Sequence, residues 1–142
     1  MNNINYRKQS KSTEHYTPVE YIESVKFVFN GQIDLDPASC YNANKYFVQA
    51  KTYLDESNDG LGYTWFGNVW LNPPYARGVT GLWVNKLINE YENGNITQAI
   101  SVFNAVTERN WFLPLFNYLL CFTDHRISFY NDHLEVAGSP EY

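Results

Sequence analysis

Gly67-Asn68-Val69-Trp70-Leu71-Asn72-Pro73-Pro74-Tyr75 is an apolar run that breaks at a proline pair. The run reads as a buried strand. It cannot continue through Pro73 and Pro74, which lack a backbone N–H and fix φ. The chain is forced into a rigid, extended turn beyond the strand's carboxyl end, the place where ligands of open α/β sheets bind. Asn72, Pro73, Pro74 and Tyr75 offer there one carboxamide, two carbonyls expected to lack a donor, and one aromatic ring.

Upstream, Thr17 and Pro18 suit an N-cap and a first helical position, with Val19, Ile22, Val25 or Lys26, and Phe29 at helical spacing and Gly31 as a stop. Gln32-Ile33-Asp34-Leu35-Asp36-Pro37-Ala38-Ser39 reads as a short strand ending at Asp36-Pro37. A short helix is expected over residues 42–47, a weak strand within residues 48–53, and a polar turn over residues 55–60. Downstream, Arg77-Gly78-Val79-Thr80-Gly81 is a flexible loop. Thr80 or a neighbour should cap a helix running to about Glu92, with Trp83, Leu87 and Tyr91 on one face and Gly94 as its stop. Residues 97–103 read as an apolar strand, Thr107 as the cap of another helix, and residues 120–122 and 126–129 as the last strands. Leu134-Glu135-Val136 reads as a short hairpin arm.

Strands alternating with amphipathic helices predict an α/β fold with a mostly parallel sheet and helices on both faces. Asp36 and Asn72 stand 36 residues apart. That is room for a βαβ crossover and one further strand, so both can open onto one edge of the sheet.

The chain has 142 residues, enough for one domain with a real core, and 44% are hydrophobic and 18% aromatic, which argues against disorder. Residues 1–13 are expected to be a flexible N-terminal arm ahead of a domain spanning residues 14–142. No apolar run has membrane-spanning length, and Met1-Asn2-Asn3-Ile4-Asn5 has no signal-peptide shape, so a cytoplasmic protein with reduced Cys40 and Cys121 is expected. Neither cysteine nor histidine spacing suggests a metal site. The net charge of −5 opposes nucleic-acid binding, whose usual footprint is basic. The only local basic excess is Arg7, Lys8 and Lys11, read as a solvated terminus.

The Asn72 turn suits one chemistry in particular. An exocyclic amine such as adenine N6 is a poor nucleophile, because its lone pair is delocalised into the ring. The Asn72 side-chain oxygen and the Pro73 carbonyl could each accept one N–H of that amine and favour its pyramidal, nucleophilic form. The prolines would hold it within attack distance of an electrophile. The Tyr75 ring could stack on an extruded base. Asp36 suits a cationic ligand group as well as it suits an ordinary turn before proline.

Taken in order, several stretches carry a resemblance: Tyr16-Thr17-Pro18, Ile33-Asp34-Leu35-Asp36-Pro37-Ala38-Ser39, Asp59-Gly60-Leu61 with Trp65, Asn72-Pro73-Pro74-Tyr75, Trp111-Phe112, and Arg126-Ile127 with Phe129. From about residue 14 to residue 129 the chain resembles the phage-encoded DNA N-6-adenine methyltransferases, the Dam family. The resemblance implies a Rossmann-like methyltransferase fold, S-adenosylmethionine as cofactor, and methyl transfer to a flipped adenine of double-stranded DNA. It further implies that Thr17, Asp36 and Pro37 lie by the cofactor's methionine part, that Asp59 contacts its adenine, and that Asn72, Pro73, Pro74 and Tyr75 hold the target base. It also implies a phage or prophage protein acting in a bacterial host. Ala38-Ser39-Cys40 stands where the wider class has a glycine-rich loop, and the acid that would bind the cofactor ribose is unassigned. The chain stops at Gly138-Ser139-Pro140-Glu141-Tyr142, where relatives continue into a final apolar strand, so a sheet truncated at its C-terminal strand is expected. Two other readings stay open: the same fold acting on RNA or a protein glutamine amide, and a degenerate binding module.

Overall fold

The computed structural model describes residues 14–136. The expected arm over residues 1–13 and the terminal residues 137–142 lie outside the described residues. Four parallel strands form one sheet: β1 (Leu35–Asp36), β2 (Thr52–Tyr53), β3 (Gly67–Leu71) and β4 (Ile96–Ser101), in the order β2-β1-β3-β4. Leu35 pairs with Thr52 on one side and Val69 on the other, and β3 runs beside β4 from Gly67–Ile96 to Leu71–Ser101. The chain leaves β1 toward β2 and then crosses back over β1 to reach β3. The sheet's direction of winding therefore reverses between β1 and β3.

Alternation along β3 explains the two layers. Val69 and Leu71 face one side and join Leu35, Leu54, Trp65, Trp83, Leu87 and Ile96, a cluster covered by α3 (Thr80–Glu92). Trp70 faces the other and joins Ile22, Val25, Phe29, Ile33, Val48 and Ala50 under α1 (Val19–Val28). Three consecutive buried residues with partners on alternating faces are what a doubly covered parallel sheet requires.

Local chemistry sets several element ends. Gly67 has φ of 64°, and a side chain there would run into the Asp34 carboxylate, whose Oδ2 accepts from the Asn68 N–H at 2.8 Å. The short helix after β1 is α2 (Tyr41–Ala43) followed by a π-helical segment (Asn44–Val48). The Asn44 side chain returns the chain to β2 by bonding both the N–H and the carbonyl of Ala50.

The C-terminal third departs from the sequence reading. The helix expected after Thr107 is only a 3-10 segment (Leu113–Asn117). In a helix capped by Thr107, Pro114 would fall in the interior, where its missing N–H and its ring are not tolerated; in the observed segment it sits in the first turn. The strands expected at residues 120–122 and 126–129 do not form. The first is three residues long with Leu119 and Phe122 left in solvent, so no packed face holds it in a ladder. The expected hairpin arm reduces to isolated bridges that join Tyr130 to Val136 and to Tyr16. Among the described residues β4 is therefore a sheet edge. No described helix is long and apolar enough to cross a membrane, and Cys40 and Cys121 are both free thiols.

Candidate active site

A cavity of about 740 Å³ opens at the carboxyl ends of β1 and β3, where the winding reverses. All eight residues singled out from the sequence line it. Leu35 stands beside Val69, so Asp36 stops two residues short of Asn72 on the neighbouring strand.

On the β3 side, Asn72 follows the last strand residue directly. Its Nδ2 donates to the His15 carbonyl at 2.7 Å and to Thr17 Oγ1 at 3.4 Å. Its Oδ1 is buried and has no hydrogen-bond partner. Buried polar atoms are nearly always satisfied, so this one calls for an explanation, and a ligand donor supplies it. Pro73 and Pro74 then carry the chain away. The Pro74 carbonyl does not stay free as expected: it accepts from Thr80 Oγ1 at 3.1 Å. Thr80 thus closes the proline turn with its hydroxyl, while Val79 takes the N-cap position of α3 with no side-chain cap. The Tyr75 hydroxyl donates to the Val102 carbonyl just past β4. Burial pushes that phenol's pKa upward, so it stays a neutral donor.

On the β1 side, Asp36 is buried and accepts from the Ala38 N–H at 3.3 Å. Burial pushes its carboxyl up to about 7, against the lowering effect of the bonds from Ala38 and Ser39. No glycine-rich loop follows. Ala38-Ser39-Cys40 turns into α2, whose first turn Cys40 caps by accepting from the Ala43 N–H. Pro37 is instead the seat of a second segment. A Cβ at Gly60 would lie 2.0 Å from the Pro37 carbonyl oxygen, so only glycine lets the residue 59–62 loop pack there. Trp65, fully buried, holds that loop from behind by donating Nε1–H to the Gly60 carbonyl at 2.8 Å. The result brings Asp59, itself exposed and with φ of 50°, to the cavity wall.

Thr17 departs from its expected part as a cap. The N-cap of α1 is Pro18, with no side-chain bond, and the Thr17 hydroxyl points to Asn72.

Other lining residues were not foreseen. His15 contributes a backbone carbonyl, which no side-chain pattern can announce. Phe47, Leu54 and Trp83 give apolar walls. Asp55 and Glu56 lie two and three residues past the end of β2 at Tyr53 and line the cavity as well; that position was legible only once β2 was located. Glu14 completes an acidic rim, its own pKa raised by burial and by neighbouring Glu56 and Asp132. No lysine or arginine lines the cavity among the described residues.

These groups define what the cavity accepts. A chain of phosphates would meet only carboxylates and no cation. A phosphate-free ligand with a positive charge near Asp36, a flat apolar face, and an amine donor at Asn72 Oδ1 would satisfy each buried group.

The family model described as DNA N-6-adenine-methyltransferase (Dam) matches residues 5–139. No curated protein and no solved structure matches the chain.

Proposed function

The chain belongs to the DNA N-6-adenine-methyltransferase (Dam) family, and on that premise we propose that it transfers a methyl group from S-adenosylmethionine to the N6 amine of an adenine in double-stranded DNA. The observation that carries this reading is the buried, partnerless Asn72 Oδ1 at the end of β3, across the sheet's winding reversal from Asp36. When bound, the cofactor would supply an electrophilic sulfonium methyl: the amine lone pair would form the N–CH₃ bond as the S–CH₃ bond breaks, leaving a neutral thioether, and the amine would lose one proton to solvent.

The chain's own residues prepare the amine. Asn72 Oδ1 and the Pro73 carbonyl accept its two N–H groups, which localises the lone pair on nitrogen. Pro73, Pro74 and the Thr80–Pro74 bond keep those acceptors rigid, so they do not reorganise as charge develops. Tyr75, anchored through its hydroxyl to Val102, presents its ring as the stacking surface for a base extruded from the duplex. On the other side, Asp36 and Pro37 hold the cofactor's cationic methionine part. Asp59 reaches its adenine. Asp55 and Glu56, past the end of the strand next to β1, are the acids suited to its ribose hydroxyls, following the general arrangement of doubly wound folds.

Incubating the protein with labelled S-adenosylmethionine and unmethylated DNA tests the reading, with RNA and protein substrates in parallel. Label in DNA is expected, abolished by Asn72→Ala while calorimetric cofactor binding persists. Cofactor binding without label in DNA would overturn it.

A further inference from the structure

The Asn72 carboxamide is aimed by groups outside its own turn. Its Nδ2 gives one bond to the His15 carbonyl and one to Thr17 Oγ1. A carbonyl can only accept, so the NH₂ end must be the one facing it. That leaves Oδ1, buried in a residue that lines the cavity, with nothing to accept. Rotated by half a turn, the same side chain would offer N–H groups to a substrate amine, and donor would meet donor. The segment that prevents this rotation is itself well fixed. Tyr16 exchanges backbone bonds of 2.8 and 2.9 Å with Tyr130, and the Phe47 ring packs between the rings of Tyr16 and Tyr130 at 5.5 and 5.4 Å. Pro18 then opens α1 on the other side. Thr17, 3% exposed, is held between these two anchors.

We propose that Thr17 is a positioning residue for Asn72: with the His15 carbonyl it locks the carboxamide so that Oδ1 faces the substrate amine. The resemblance implied a contact with the cofactor; the hydrogen bond and burial assign Thr17 to the methyl-accepting half of the site. The His15 carbonyl selects which end of the carboxamide faces it, and Thr17 Oγ1, accepting from the same Nδ2, restrains the side chain further in that orientation. The proposal rests on the methyl-transfer reading for its catalytic consequence but not for its geometry.

The test therefore has two independent readouts. In ligand-free protein, the Asn72 side-chain NH₂ resonances, identified by their loss in Asn72→Ala, are expected to exchange slowly with solvent. Thr17→Val, which keeps the shape and removes the acceptor, should shift them and speed their exchange, and Thr17→Ser should restore them. In turnover, Thr17→Val should lower kcat about tenfold, the worth of one hydrogen bond felt in the transition state, with cofactor affinity by calorimetry unchanged and kcat recovered in Thr17→Ser. Fast exchange in the unaltered protein, or Thr17→Val resonances that do not move, would overturn the lock even if a variant failed to fold. So would weakened cofactor binding with kcat preserved at saturation. A protein that shows the slow exchange but labels no DNA would leave the lock standing and refute the function instead.

Discussion

A carboxyl group with 2% exposure and a single backbone bond to Ala38 keeps its proton until the pH approaches 7. Asp36 therefore works against the fold at the pH where it would serve a cationic ligand. Its folded pKa lies above the ordinary 3.8, so its contribution to stability is full below about pH 4 and is lost as pH rises through about 7. The loss is ~1.4 kcal/mol for each pH unit between those values. Replacing it by Asn keeps the acceptor for Ala38 and removes the charge. Asp36→Asn is expected to raise the melting temperature of the ligand-free protein at pH 8 and to flatten its dependence on pH between 4 and 7. The same change should weaken cofactor binding. In the unaltered protein, affinity should fall up to about tenfold per unit as pH drops below about 7, because binding must then expel a proton. Glu14, Asp55, Glu56 and Asp59 line the same cavity, so the Asn variant is the control that isolates Asp36. Melting curves and calorimetry across pH check both halves, and a pH-independent affinity would refute them. Sequence already singled out Asp36 and Asn72, because a strand that stops at proline with a polar residue in front is a local signal. It gave no sign that Thr17 prefers Asn72 to the helix end, since that choice depends on where residue 130 returns in space.

At the scale of elements, the turn after β3 and the loop over residues 59–62 are each held by one small feature. The Thr80 hydroxyl closes the first and the missing side chain of Gly60 permits the second. Gly60→Ala sets a methyl group 2.0 Å from the Pro37 carbonyl oxygen and 2.9 Å from the Trp83 ring, neither of which can yield easily. The loop must lift from β1. Overpacking of this kind costs about 1–3 kcal/mol, and Asp59 moves with the loop. The expected result is a lower melting temperature and a cofactor affinity reduced by more than the loss of stability alone explains. A Gly60→Ala protein that binds cofactor normally would show that this loop is no part of the site. Behind it, Trp65 is braced by a buried set of bonds. Its backbone N–H donates to Glu90, which also accepts from Lys86 at 2.7 Å and from Asn95 at 3.1 Å. Burial alone would raise the Glu90 pKa, but these bonds win and lower it. Periodicity found α3 and its Trp83 and Leu87 face, yet it placed Tyr91 on that face with them, whereas Glu90 is buried and Tyr91 half exposed. A charged residue whose partners come from residues 65 and 95 cannot be recognised as buried from its own helix. The same limit explains residues 107–129. Their apolar content reads as a long helix and strands, but they form only a 3-10 segment, because Pro114 interrupts the one and no neighbouring ladder supports the other.

Over the whole molecule, the distribution of charge sets how a duplex could be held. The chain carries −5 net, with ten lysines and arginines against fifteen acids, and no described cation lines the cavity. The loops on the same edge of the sheet supply Arg77, five residues past Asn72, and Arg109, after β4. Arg109 stands 3.8 Å from Glu108, in an exposed pair that leaves it available. Duplex affinity rises with the number of phosphates neutralised, each of which contributes about −0.9 to the slope of log K against log salt concentration. Two or three such contacts predict a slope of about −2 to −3, well short of that of binders making six to ten. Affinity for DNA outside the target site should therefore be weak at physiological salt. On the proposed function, selection would then rest on what the cavity does with an extruded base, through Asn72 and Tyr75, more than on the duplex surface. Binding measured between 50 and 200 mM salt, with and without cofactor, tests this. Arg77→Ala should reduce the slope by about one while leaving cofactor binding unchanged. A slope near −8 would mean that the duplex lies against a basic surface the described fold does not carry, and the orientation of DNA over this edge of the sheet would have to be abandoned.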